Sequence, residues 1–219
     1  MLFRSPYAAL PWEDLDSLFT AILGDIIEHS CQAGDIDVLL YLNPAEFSDE
    51  FLKPFHNHVR CFEMADGSVF SQVPAAIEQA FALRYSRVVV LLENHPLIGP
   101  ALLAKIFAQL GCEDDCIVVG PTPDGFVYLL GVKQNHSALF DLEAPELLSK
   151  PGRLLHNVCG AGALIFPAPS RYLLDSGAHL ANARLEIEAM HETEAGFPSR
   201  TFAMFKSIDK KYKPRKLSR

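Results

Sequence analysis

RVVVLLENHP, residues 87–96, is the stretch that decides the fold of this chain. Five aliphatic residues stand in a row at 88–92, with no polar side chain among them. A strand that is apolar on both faces is typical of the interior of a parallel sheet covered by helices. The polar residues that follow, closed by a proline, indicate a loop at the carboxyl end of the strand. The stretch therefore predicts a buried parallel strand whose loop carries polar side chains.

Similar apolar runs recur along the chain and alternate with helical patterns. The strand-like runs are 36–42, 59–64, 116–119, 126–132 and 163–166. Between several of them, apolar residues recur three and four positions apart, which is typical of amphipathic helices. This alternation predicts one α/β domain over residues 1–200, with a Rossmann-like, mainly parallel sheet and helices on both faces. We expect the runs at 36–42, 88–92 and 117–119 to be neighbouring parallel strands.

The amino-acid composition indicates a folded protein without a membrane span. Of the 219 residues, 49% are hydrophobic and 21% are charged, which is typical of a folded domain with one core. There is no run of eighteen apolar residues, so we expect no membrane span. The first residues lack the pattern of a secretory signal. The five scattered cysteines favour reduced thiols, and these features together predict a cytoplasmic protein.

Charge is distributed unevenly. The formal net charge is −8, yet residues 205–219 carry seven basic side chains against Asp209 alone. The rest of the chain is therefore strongly acidic, and we expect no nucleic-acid-binding surface there. The basic segment 205–219 is interpreted as a solvated, partly disordered tail, with contact to a phosphate-rich partner as the alternative.

Ligands of parallel sheets bind beyond the carboxyl ends of the strands. Three segments of this chain occupy such positions, namely 93–96, 120–125 and 175–177. Their loop tips should meet at one edge of the sheet, so any chemistry is expected there.

Two of these segments carry a resemblance. RVVVLLENHP at 87–96, followed by PALLA at 100–104, resembles the strand, acidic loop and helix of a bacterial glycosyltransferase-A-like family. GPTPDGFVYLLG at 120–131 resembles the second signature of that family, which usually reads G-P-x-x-D-G-G-Y-Y-L-L-G. Some members are called arsenosugar-biosynthesis-type glycosyltransferases, and relatives include nucleotidyltransferases. The resemblance extends in element order over roughly residues 5–180.

The resemblance implies a nucleotide-diphospho-sugar or nucleoside triphosphate as ligand, with Mg²⁺ or Mn²⁺ bridging its phosphates if the protein is active. The metal-binding Asp of the family aligns with Asn94, so we expect no tight metal site. Asp124 is the candidate catalytic residue. The candidate ligand-binding residues are Glu93, Asn94, Gly120, Pro121, Asp124, Gly125 and Asp175.

Departures from the family pattern leave two functions open. The chain is expected to begin after the family's first strand, and Phe126 replaces a glycine where a sugar would approach. The first function is a transferase that acts on an activated sugar or nucleotide. The second is a non-catalytic binding or scaffolding relative, which the substituted Asp favours.

Each candidate residue also has a structural interpretation. Asp124-Gly125 is an ordinary turn dipeptide. Asp175, followed by Ser176, could cap a helix predicted over 177–190. His95 is interpreted as a loop residue whose ring is satisfied locally.

Overall fold

The computed structural model describes residue 7 and residues 10–42, 49–55, 57–63, 72–92, 95–137, 158, 160 and 162–212. The helices are α1 (Trp12–Gln32), α2 (Asp49–Leu52), α3 (Val73–Ala82), α4 (Pro100–Gln109), α5 (Gly177–Glu188) and α6 (Ser199–Tyr212). The strands are β1 (Val38–Leu42), β2 (Val59–Glu63), β3 (Val88–Leu91), β4 (Cys116–Pro121), β5 (Val127–Val132) and β6 (Leu164–Pro167). Within those ranges, none of the helices has both the length and the apolar character that crossing a bilayer requires.

Proline placement explains where two helices begin. Pro74 and Pro100 stand in the first turns of α3 and α4. The first N–H groups of a helix have no intrahelical partner, so a residue without an N–H is tolerated there. Both helices therefore start at positions that the sequence marks.

The main sheet has four strands in the order β3-β5-β4-β6. β5 is antiparallel to both β3 and β4, whereas β4 and β6 are parallel. Three of the four strands thus run in the same direction. β1 and β2 form a separate two-stranded parallel sheet.

The expectation that the runs at 36–42, 88–92 and 117–119 are neighbouring strands is wrong. β5 lies between β3 and β4, and β1 pairs with β2. The physical reason is the connection after β4. The turn at 122–125 is too short for a parallel crossover, so the chain must return antiparallel beside β4.

Helices cover the four-stranded sheet on both faces, which confirms the predicted α/β class. Along β4, Cys116 and Val118 belong to a core shared with α1, α4, α5 and α6. The alternate residues Ile117 and Val119 belong to a second core shared with α3. All six residues of β5 are buried, as expected for a strand with a core on each side.

Helix α6 was not predicted. Residues 205–212, which we expected to begin a solvated tail, continue this helix, and α6 packs against α1. Phe205 and Ile208 are fully buried in the larger core. The basic side chains stand on the outer positions of an amphipathic helix, and their number obscured an apolar stripe at three-residue spacing.

An acidic side chain of α1 holds the start of α6. Asp25, which is 1% exposed, accepts hydrogen bonds from the backbone N–H groups of Arg200 (3.0 Å) and Thr201 (2.8 Å). It also accepts one from the Thr201 hydroxyl at 2.7 Å. A carboxylate at a helix N-terminus satisfies orphan donors and interacts favourably with the helix dipole. This contact fixes α6 on α1.

Candidate functional site

Three loops meet at the carboxyl edge of the main sheet. The N–H of Arg171, in the loop after β6, donates to the carbonyl of Pro121 at the end of β4 (3.1 Å). The hydroxyl of Tyr128 donates to the carbonyl of Pro169 in the same loop (2.8 Å). The rings of His95, after β3, and Tyr172 make an edge contact with centroids 5.0 Å apart. Two of the three predicted segments, 93–96 and 120–125, thus contribute His95 and Pro121 to this junction. The loop after β6 contributes residues 169–172, which precede the predicted segment 175–177.

The turn between β4 and β5 presents Asp124 to solvent. Gly125 N–H donates to the Thr122 carbonyl at 3.1 Å, and the Thr122 hydroxyl accepts from Phe126 N–H at 2.8 Å. Gly125 has φ +86°, a conformation that a glycine adopts without strain. Thr122 and Gly125 therefore build the turn. The Asp124 carboxylate is exposed and receives no hydrogen bond from any described residue, so it is available to a ligand.

Gly120 is buried against an aromatic ring. A Cβ at this position would lie 2.7 Å from Cε1 of Tyr128 and 2.9 Å from Cβ of Leu129. The missing side chain makes room for the Tyr128 ring, which in turn reaches the loop after β6. This gives the first glycine of the signature a packing role. Contact of Gly120 or Pro121 with a ligand stays a prediction.

Asp175 is paired with a histidine of α5. Its carboxylate lies 2.7 Å from Nδ1 of His179, one helical turn further along the chain. The cap of α5 is Ser176, whose hydroxyl accepts from the His179 N–H at 3.2 Å. The interpretation of Asp175 as the capping residue is therefore wrong. Asp175 remains partly exposed at the rim of the edge, but His179 competes for its oxygens.

Three sequence-based predictions concern Glu93, Asn94 and Phe126. Glu93 and Asn94 lie outside the described residues, so the predicted proximity of Asp124 and Asn94 stays a prediction. Phe126 is half-buried directly after the turn. Its predicted occupation of the sugar space likewise stays a prediction.

Sequence reasoning missed two nitrogen groups at this edge. His95 is 2% exposed, and its Nδ1 accepts from the N–H of Leu97 (3.3 Å). Its Nε2 and the Nε of Arg171 are buried, and neither has a hydrogen-bond partner in the structure described here. We expected both ring nitrogens of His95 to have local hydrogen-bond partners, but only Nδ1 has one among the described residues. A weak signal existed, since Arg171 is the one basic residue within the eight positions after β6.

Burial, assisted by the positive charge of Arg171, lowers the pKa of His95 from 6.5 to about 3. The imidazole is therefore neutral at pH 7. Because Nδ1 accepts a hydrogen bond, the proton of the neutral ring is assigned to Nε2. The unpartnered group is thus an N–H donor.

This shift predicts how stability depends on pH. The unfolded histidine gains a proton below pH 6.5, whereas the native one stays neutral until about pH 3. The unfolded state then binds more protons, so stability falls as pH falls through this window. We expect His95 to account for a loss of about 2 kcal/mol between pH 6.5 and 4.5. Urea unfolding of wild type and His95→Gln at both pH values measures it, with the exposed His191→Gln as control. Parallel pH curves for wild type and His95→Gln would contradict the assignment.

The described residues do not fit the divalent cation that the resemblance implies. No three His, Cys, Asp or Glu side chains of the described ranges lie close enough together to hold a metal ion. Asp175 is engaged by His179, and the buried unpartnered groups at this edge are N–H donors, which repel a cation. The chemistry of this donor set suits an anion.

A cavity of about 460 Å³ lies at the opposite edge of the molecule, before β1 and β3. Its lining includes Cys31, Asp37, His58, Tyr85 and Arg87. The Asp37 carboxylate already accepts from the Tyr85 hydroxyl at 2.6 Å. Since parallel sheets bind ligands at their carboxyl edge, this cavity is the weaker candidate.

Comparison with known proteins agrees with this architecture. No curated protein matches the chain. The crystal structure of a candidate nucleotide-diphospho-sugar transferase from Desulfovibrio desulfuricans G20 is similar, with a TM-score of 0.70 and 16% identity. The match covers 89% of this chain and 84% of that one. At this identity the similarity concerns the fold alone, which is Rossmann-like.

The sequence itself matches a family over residues 26–143, more than half of its length. The family is described as "Uncharacterized protein conserved in bacteria (DUF2064)". The matched segment begins within α1, ends beyond β5 and includes the turn that presents Asp124. The chain therefore belongs to this family of uncharacterized bacterial proteins.

Proposed function

We propose that this protein binds a nucleotide-diphospho-sugar at the carboxyl edge of its four-stranded sheet. The observation that carries the proposal is the junction of the three loops after β3, β4 and β6, through the Arg171–Pro121 and Tyr128–Pro169 hydrogen bonds and the His95–Tyr172 contact. The similarity of the fold to a candidate nucleotide-diphospho-sugar transferase supports the same conclusion.

The free carboxylate of Asp124 is proposed to accept hydrogen bonds from hydroxyl groups of the ligand. It projects from a turn whose geometry is set by Thr122 and Gly125, so its position does not depend on its own side chain. Glu93, Asn94 and Pro121 are proposed to line the same site. Asp175 is proposed to lie at the rim of the site. Its carboxylate would release the His179 ring and hydrogen-bond the ligand when the ligand binds.

Transfer of the sugar is proposed to be slow. Metal-dependent transfer requires carboxylates to hold the cation that offsets charge on the leaving diphosphate. The residue aligned with the family's metal-binding Asp is Asn94, and Asp175 is engaged by His179. If the rate of transfer is zero, the protein only binds the nucleotide-diphospho-sugar.

Binding is tested by calorimetric titration of the full chain with UDP-glucose, GDP-mannose and dTDP-glucose, each with and without Mn²⁺. We expect at least one of them to bind, and Asp124→Ala to weaken that binding about tenfold, as expected for loss of a charged hydrogen bond. Asp114→Ala, an exposed carboxylate before β4, is the matched control and should bind like wild type. Both variants should melt like wild type. Absence of binding for the whole panel would refute the proposed function.

Catalysis is tested separately, by measuring release of nucleoside diphosphate from the sugar that binds. We expect nucleoside diphosphate to be released at a rate close to that of spontaneous hydrolysis, measured in the absence of the protein. Rapid release that requires Mn²⁺ would show an active metal-dependent transferase and would contradict the slow transfer, while leaving binding intact.

A further inference from the structure

We infer that the carboxyl edge holds the phosphate groups of its ligand directly, through the Arg171 guanidinium and the His95 Nε2–H, without a divalent cation. This inference rests on the proposed function and specifies its phosphate subsite. The two residues are 76 positions apart in the sequence and are brought to the same edge by the loops after β3 and β6.

His95 is held as a fixed donor. Its ring is 2% exposed, its Nδ1 is occupied by the Leu97 N–H, and the Tyr172 ring packs edge-on against it. Its Nε2–H has no acceptor among the described residues. A buried donor without a partner costs free energy, and such groups call for an explanation. An oxygen of a bound ligand would satisfy it.

Arg171 supplies the charge. Its backbone N–H is fixed to the Pro121 carbonyl, and its buried Nε lacks a partner in the described structure. That backbone bond places Arg171 within the junction of the loops, where its positive charge adds to the effect of burial in lowering the pKa of His95. Other basic side chains form ion pairs, as Arg184 does with Asp209 and Lys211 with Asp14. No described carboxylate neutralises Arg171 in this way.

The chemistry of the pair selects a phosphate. A guanidinium presents several N–H donors in a plane that matches phosphate oxygens, and imidazole adds a further donor. In the loop after β6, the carboxylate of Asp175 pairs with His179 and forms no ion pair with Arg171. A neutral histidine beside an arginine binds an anion without accumulating two adjacent positive charges.

The test is calorimetric titration of the full chain with inorganic pyrophosphate, UDP and uridine, first in EDTA and then in Mn²⁺. We expect pyrophosphate and UDP to bind in EDTA. Arg171→Gln should weaken both about tenfold to a hundredfold, the range for a charged hydrogen bond. Arg60→Gln, the same change at an exposed position of β2, should have no effect. Arg171→Lys, which keeps the charge, should bind with intermediate affinity and covers the case in which Arg171→Gln does not fold.

The outcomes separate this inference from the proposed function. Binding of UDP only in the presence of Mn²⁺, with Arg171→Gln and Arg171→Lys unchanged, would overturn the inference and leave nucleotide binding standing. Pyrophosphate binding in EDTA that is lost in Arg171→Gln, with no gain in affinity from the uridine of UDP, would support the phosphate subsite and count against a nucleotide ligand. Absence of pyrophosphate and UDP binding under both conditions would overturn the inference.

Discussion

Gly120→Ala is expected to lower the free energy of unfolding by about 3 kcal/mol, the upper range for overpacking a buried site. The new Cβ would lie 2.7 and 2.8 Å from two ring carbons of Tyr128 and 2.9 Å from Cβ of Leu129. The ring cannot move aside easily, since Tyr128 is 1% exposed and its hydroxyl is bonded to the Pro169 carbonyl. Chemical denaturation measures the effect.

The control for this prediction is Gly160→Ala, because a Cβ there meets open space. It should not lower the free energy of unfolding, and is expected to raise it by up to about 1 kcal/mol because alanine favours the helical conformation that residue 160 adopts. In the double variant Gly120→Ala/Tyr128→Leu, the aromatic ring that would clash is absent. The loss of free energy of unfolding in the double variant should therefore be smaller than the sum of the losses in the two single variants. A Gly120→Ala protein as stable as wild type would show that the close contact with Tyr128 does not exist.

Asp25→Ala is expected to cost about 3 kcal/mol of stability, since it removes three charge-assisted hydrogen bonds at once. The change leaves the first N–H groups of α6 and the buried Thr201 hydroxyl without an acceptor. Urea unfolding is the measurement. Asp16→Ala, an exposed acid of the same helix, should be close to neutral.

A second readout separates loss of this cap from general destabilisation. In Asp25→Ala, α6 should open more readily, and limited proteolysis should cut the 190–198 segment faster than in wild type. Asp25→Asn keeps one acceptor oxygen and should fall between the two. An Asp25→Ala protein that unfolds and is cleaved like Asp16→Ala would mean that Asp25 does not anchor α6.

The elements of this fold could be read from the sequence more easily than their arrangement. The aliphatic runs marked β3, β4 and β5, and burial on both faces explains the lack of polar positions in β4 and β5. The expectation of a buried interior strand at 88–92 is wrong, since β3 is an outer strand of the four-stranded sheet and its residues are half-buried. Strand order could not be read, since it depends on hydrogen bonding between strands. The turn around Asp124-Gly125 did contain the clue that β5 returns antiparallel beside β4.

Side-chain roles that depend on distant contacts were beyond the sequence. Asp25 acts on a helix about 175 positions away, and nothing around it in the chain signals a cap. His95 and Arg171 become significant only because their nitrogens are buried at one edge of the sheet without partners in the described residues. Loop positions were predictable because the carboxyl ends of strands that run the same way share an edge.

The central claim, that the carboxyl edge is a nucleotide-diphospho-sugar site, is tested most directly by chemical-shift mapping of the ¹⁵N-labelled chain. The nucleotide-sugar that binds in the calorimetric panel is titrated, and amide shifts are followed along the sequence. The account predicts that the largest shifts fall at residues 95–98, 121–126 and 168–179. Shifts confined to the cavity at the opposite edge, around Asp37, Tyr85 and Arg87, would contradict it.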